Sequence, residues 1–227
     1  MSTTSRPALA TPPLFAGQRL DRVEFHERYH AMPPGVRAEL IDGVVFMPSP
    51  VGFRHAWATG PAYIWLSYYE ENTPGVEALD NVSTALGPKS EVQPDSLLRI
   101  LPECGGQTRT ERILFGAPEL VVEVSHSTRL FDLGPKLAEY ERAGVLEYVV
   151  RTVEPDEVRW HVRRDGRLVA VPPDPDGWYR STTFPGLWLD PGALLNRDTR
   201  RLRAVVDRGL ATPEHAAFAA SLAARRA

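Results

Sequence analysis

Pro118-Glu119-Leu120-Val121-Val122-Glu123-Val124-Ser125 is the stretch that decides the fold. It is a near-continuous apolar run of strand length, the pattern of a strand buried on both faces. A single carboxylate, Glu123, interrupts its middle. Downstream, Pro135 opens a helix at the position where its missing N–H costs nothing. Gly144 closes that helix, and residues 145–150 form the next strand. Upstream, residues 21–31 read as a short helix stopped by Pro33-Pro34. Residues 38–47 read as a hairpin turning at Asp42-Gly43, the strongest short-range hairpin signal. Pairing across that turn puts Glu39 on one face with Ile41, Val44 and Phe46.

The remaining pattern fills in around this frame. Residues 55–72 carry Trp57, Tyr63, Trp65, Tyr68 and Tyr69 and read as a long helix, with Gly60-Pro61 as the place for a kink. Residues 77–86 and 92–100 are strands, the latter containing Gln93-Pro94-Asp95; residues 102–115 are a loop. A second hairpin, 157–171, turns at Asp165-Gly166. Helices over 199–208 and from Pro213, with Thr212 as N-cap, finish the chain. The order predicts an α/β fold, an α+β mixed sheet flanked by helices. The domain expectation is a mobile tail over 1–18, one domain over 19–190 and a helical appendage over 191–227.

Composition narrows the class. The chain has 227 residues, 43% of them hydrophobic, 24% charged and 9% aromatic. That is enough for one sizeable core, and it excludes a disordered chain. No window approaches the ~20 apolar residues of a membrane helix, and the N-terminus lacks the apolar core of a signal peptide. One cysteine, Cys104, makes no internal disulfide, and these readings together predict a cytoplasmic protein. Net charge is -3 and the pI about 6.1, a poor match to a protein that coats DNA. Residues 197–227 nonetheless carry a local balance of +4. Of 26 basic side chains only Lys89 and Lys136 are lysines, and a lysine in an arginine background marks a place where chemistry needs a compact ammonium.

Two carboxylates draw the site. Glu123 in a doubly buried strand is costly unless paired, hydrogen-bonded or bound to metal. Asp95 follows Pro94, which cannot donate to a ladder and belongs at an edge or bulge, where side chains are re-aimed. If these strands are neighbours, Asp95 and Glu123 converge, and their repulsion is relieved by Mg²⁺ or Mn²⁺, ions suited to oxygen ligands. Pairing with an arginine is the other outcome, and pattern alone leaves both open.

A resemblance adds to this. Glu39-Leu40-Ile41-Asp42-Gly43, Gln93-Pro94-Asp95, Glu119-Leu120-Val121-Val122-Glu123-Val124-Ser125, then Ser127-Thr128-Arg129 with Asp132, Lys136, Tyr140, Ala143-Gly144-Val145 and Glu147-Tyr148 resemble the Uma family of restriction-endonuclease-like proteins. That family is similar to the PD-(D/E)xK nuclease superfamily, and the match covers about half the chain. The resemblance implies a restriction-endonuclease-like core in which Asp95 and Glu123 hold the metal. It also implies Lys136 as the catalytic lysine, standing in for the one displaced by Ser125, and Glu39 as a further member. His55 matches a family histidine. His126 and Val149 depart from the family pattern. The implied activity is Mg²⁺-dependent hydrolysis of phosphodiester bonds in DNA by a homodimer.

Two other readings come from the residues. His26-Glu27-Arg28-Tyr29-His30 spells the H-E-x-x-H of zinc proteases, but Pro33-Pro34 ends its helix and no third ligand follows. Arg159, Trp160, His161, Arg163, Arg164 and Arg167 interleave basic and aromatic residues, as a non-catalytic nucleic-acid or partner-binding module would. The arginines of 200–208 suit subunit contact or solvent. Cys104 reads as an idle thiol, and Ser125-His126 as no triad.

Overall fold

The computed structural model describes residues 11–48, 50, 52–126 and 128–226. Helix α1 (Arg22–His30) is capped by Asp21, whose carboxylate accepts the Glu24 N–H at 2.9 Å. Asp42 and Gly43, at φ 49° and 75°, form the tight turn between β1 (Glu39–Ile41) and β2 (Val44–Phe46). Glu39 lies opposite Phe46, so its face is the one the alternation predicts. Helix α2 (Phe53–Glu71) runs on through a buried Pro61.

Two segments read as single strands are each split. Residues 77–86 become β3 (Val76–Asp80) and β4 (Thr84–Gly87), and residues 92–100 become β5 (Ser90–Val92) and β6 (Ser96–Ile100). In both cases the halves join different sheets. The first break falls at Asn81, at φ 49°, a conformation that ends extended pairing. The second falls at Pro94, which has no N–H for a ladder. The expected loop over 102–115 contains the short strands β7 (Arg109–Thr110) and β8 (Leu114–Phe115).

Strand β9 (Leu120–Ser125) is buried along its whole length, as its apolar run requires. The following helix starts before Pro135: α3 (Arg129–Phe131) passes through a π turn, Asp132–Lys136, into α4 (Leu137–Ala143). Pro135 sits inside the π turn, whose widened geometry absorbs the missing N–H, and Gly144 at φ 103° ends the helix. Then come β10 (Glu147–Val153), β11 (Asp156–Arg164) and β12 (Arg167–Val171). A short hairpin, β13 (Tyr179–Arg180) with β14 (Trp188–Leu189), leads to α5 (Pro191–Leu195), α6 (Thr199–Leu210) and α7 (Pro213–Arg226).

The architecture is mixed α+β. One sheet runs β2-β1-β5-β4-β8-β7, and the second runs β12-β11-β10-β9-β6-β3. In the second, β9 and β10 are parallel and β9 and β6 antiparallel. One face of this sheet packs Val122, Val149 and Trp160 against Trp65 and Tyr69 of α2. Its other face packs Val121, Tyr148 and Val150 against Tyr140 of α4 and Ile41 and Leu114 of the first sheet. Leu202, Val206 and Leu222 belong to the same core as Trp65. Each is fully buried, worth about 1.5–3 kcal/mol, so the helices over 191–226 pack as part of one core. Of the tail read over 1–18, residues 1–10 lie outside the described residues. Within residues 11–18, Leu14 is buried beside Phe25, and the Gly17 N–H bonds the Val45 carbonyl at 2.8 Å. Among the described residues no helix is long and apolar enough to cross a membrane.

Candidate active site

The antiparallel pairing of β6 with β9 places Ser96 opposite Val122. Asp95, one residue earlier, therefore lies beside Glu123, and alternation turns both side chains to the face of Val121 and Leu97. The Val124 N–H donates to Asp95 Oδ2 at 2.8 Å, fixing the carboxylate where the ladder ends. His55, in the first turns of α2, brings Nε2 to 3.3 Å from the same oxygen.

Lys136 completes the group from across the chain. The π turn carries it inward, where only 5% of its surface stays exposed. Its Nζ lies 2.9 Å from Glu123 Oε1 and 3.1 Å from Glu39 Oε2. Tyr140, one helical turn on, donates its hydroxyl to Glu123 Oε1 at 2.7 Å. Glu39 accepts the Gln93 N–H on its other oxygen at 2.7 Å, tying the β1–β2 hairpin to the Pro-Asp segment. Asp132, in the same π turn, accepts from Thr128 Oγ1 at 2.5 Å. The four residues expected to form the site, Asp95, Glu123, Lys136 and Glu39, thus line one cleft of about 120 Å³, together with Asp132, His55, Arg37 and His126.

Electrostatics distinguish the members. Burial pushes the Glu123 carboxyl well up; Lys136 opposes this, and Asp95, Asp132 and Glu39 reinforce it. Burial works the same way on Asp95, but the contact with His55 and the Val124 N–H hold it below the usual carboxylate range. For Lys136 burial opposes the ammonium, yet Glu123, Glu39 and Asp132 outweigh it and raise its pKa. Lys136 is therefore a fixed cation in this arrangement and not a proton acceptor. His55 is raised, chiefly by its hydrogen bond to Asp95.

Two groups, Asp132 and Tyr140, belong to the motif pattern without being among the expected site members, and the contact of His55 with Asp95 is not foreseen from the sequence. Asp132 and Tyr140 stand at helical spacing around Lys136, a signal open to inspection once the helix is extended upstream of Pro135. The partner of His55 lies 40 residues away, and only the packing of α2 reveals it.

The other candidates fall elsewhere. His26 Nδ1 is held 3.0 Å from Glu91, and α1 ends at His30. Among the described residues no group of three or more His, Cys, Asp or Glu side chains is placed to hold a metal. The H-E-x-x-H segment thus gains no third ligand, and a zinc protease needs three. In the second hairpin Trp160 and His161 are buried, Trp160 against Trp65 and Tyr179, so the interleaved basic and aromatic surface is not formed. Cys104 is buried.

A mixed sheet that presents two acids and a lysine in one cleft defines the class: a restriction-endonuclease-like α+β fold. The family model Uma2, described as "Putative restriction endonuclease", matches residues 24–192, and the chain belongs to that family. A crystal structure described as "a putative nuclease belonging to DUF820", from Anabaena variabilis, is similar in fold, with a TM-score of 0.53 and 11% identity. The likeness covers 79% of this chain and 97% of that one. No curated protein matches.

Proposed function

We propose that this chain is a Mg²⁺- or Mn²⁺-dependent nuclease, cytoplasmic, that hydrolyses phosphodiester bonds in DNA. The observation that carries the reading is the convergence of Asp95 and Glu123 at one level of a sheet face, with Lys136 buried beside them. The cleft offers a divalent cation two carboxylate donors, Asp95 and Glu123, fewer than the three side chains of a closed metal site. Four carboxylates, Glu39, Asp95, Glu123 and Asp132, line the cleft against two fixed cations, Arg37 and Lys136. That leaves a deficit of two positive charges when all four are ionised. Two carboxylates suffice as protein ligands, since Mg²⁺ keeps waters and takes substrate phosphate for the rest. When bound, the ion supplies a Lewis acid for the phosphoryl oxygen and lowers the pKa of water.

The chain's own groups do the rest. Asp95 and Glu123 bind and orient from two adjacent strands, a rigid platform. Lys136 presents a positive charge next to Glu123, where a preorganised donor to the pentavalent transition state is worth about 3 kcal/mol. Glu39 and Tyr140 hold Lys136 and Glu123 in register. The chain acts as a homodimer in this reading, with one such site in each protomer.

Calorimetric titration of Mn²⁺ into the protein, with and without DNA, tests the reading beside an Asp95→Ala/Glu123→Ala double variant. The expected result is binding and DNA cleavage in the parent and neither in the variant. Absence of both from the parent, with DNA present, would sink the nuclease reading and leave a binding module.

A further inference from the structure

A groove of about 900 Å³ opens beside the acid cleft, along one face of α2. Arg37, Pro48, Pro50, His55 and Asp95 line both spaces, so the groove ends on the same carboxylate that the cleft presents. The cleft itself, at about 120 Å³, is much the smaller of the two spaces. What it does not hold of a substrate lies next to it.

The groove's lining is suited to a particular shape of substrate. Tyr63 and Ile64 from α2 face it together with Val36 and Met47, an aromatic and aliphatic surface. Arg37 stands at the junction with the cleft, its guanidinium hydrogen-bonded to Asn81. Asp80 and Asn81 stand where the groove meets the end of β3. Such a combination takes a nucleobase face on the apolar wall, a phosphate at Arg37 and base-edge N–H groups at Asp80 and Asn81. An intact duplex has no base face to offer, because it shows a protein only phosphates and groove edges.

Gly60 adds an independent sign. It lies inside α2, where glycine is less favourable than alanine. A Cβ built there meets nothing within 4 Å, so packing does not demand glycine. It lines the groove, and the missing side chain leaves that space open.

We propose that this groove binds unpaired nucleotides adjoining the scissile phosphate, so that the substrate strand is single at the point of cutting. The inference rests on the nuclease reading and narrows its substrate class. Gly60→Leu tests it, because leucine fills the groove, favours the helix and touches none of Asp95, Glu123 or Lys136. Fluorescence anisotropy with Ca²⁺ as the cation would compare a labelled ten-residue thymidylate strand with a duplex of the same length. The parent should bind the single strand about tenfold or more tighter than Gly60→Leu does, the loss of roughly one base stack. It should also bind the single strand tighter than the duplex. A 5-iododeoxyuridine strand should photocrosslink to the segment holding Tyr63. Equal affinity in Gly60→Leu, preference for the duplex or crosslinks elsewhere would overturn the groove while leaving the nuclease reading standing. Binding of neither nucleic acid by the parent would overturn both.

Discussion

Replacing Lys136 with methionine separates the electrostatic account of the cleft from a merely spatial one. Methionine keeps most of the length and apolar body of the side chain and deletes its charge. In the parent the ammonium lies within about 3 Å of both Glu123 and Glu39, all three nearly buried. Removing one partner of a buried ion pair leaves uncompensated charge and costs roughly 3–5 kcal/mol. Part of that is recovered if Glu123, already pushed up by burial, takes a proton, so the lower end is expected near neutral pH. For a domain of this size 1 kcal/mol shifts Tm by about 2–4 °C, which puts the fall at roughly 6–12 °C. Differential scanning calorimetry in chelator reads it directly. Millimolar Mn²⁺ should raise the Tm of Lys136→Met more than that of the parent, because the cation relieves a larger deficit. A Tm within a degree of the parent in chelator would refute the buried pairing, and an equal Mn²⁺ response would refute the charge argument.

Other expectations follow from particular contacts. Tyr140→Phe removes one donor to Glu123 and should lower kcat of DNA cleavage about tenfold with little change in KM, since the deleted hydroxyl orients an acid and binds no substrate. Glu147, fully buried, accepts from the Trp160 indole at 3.0 Å and from Ser181, Thr182 and Thr183. Glu147→Ala orphans these donors and should destabilise by roughly 3–5 kcal/mol in denaturant unfolding; a loss under 1 kcal/mol would show that the loop finds other partners. His215 is held below its ordinary pKa by burial, between Thr73 and the Leu210 carbonyl. Its neutral form is the folded form, so its contribution is present above the unfolded pKa of about 6.5 and is lost as pH falls. Unfolding free energy should therefore drop between pH 7 and pH 5, and drop less in His215→Gln; identical slopes would exclude His215 as the source.

Much of the fold is legible in local signals. The two Asp-Gly hairpins, the buried run of β9, the Gly144 stop and the Asp21 and Thr212 caps act through neighbours in the chain, and a reader of the sequence has those neighbours in view. Where the reading slipped, a distant partner decided. Residues 77–86 and 92–100 read as single strands, yet each half pairs in a different sheet. Nothing local says which sheet a strand edge will find.

The site divides along the same line. The sequence alone determined that Glu123 lies in a buried strand, that Asp95 follows a break in a ladder and that a rare lysine falls on the next helix. The need of a buried charge for company follows from its solvation, whatever the fold. Only the tertiary structure decided who that company is. Antiparallel register between β6 and β9 sets Asp95 beside Glu123, and the π turn before α4 aims Lys136 between Glu123 and Glu39. Those are agreements in distance among segments up to 97 residues apart, and distance across a folded core is set by packing the whole chain at once.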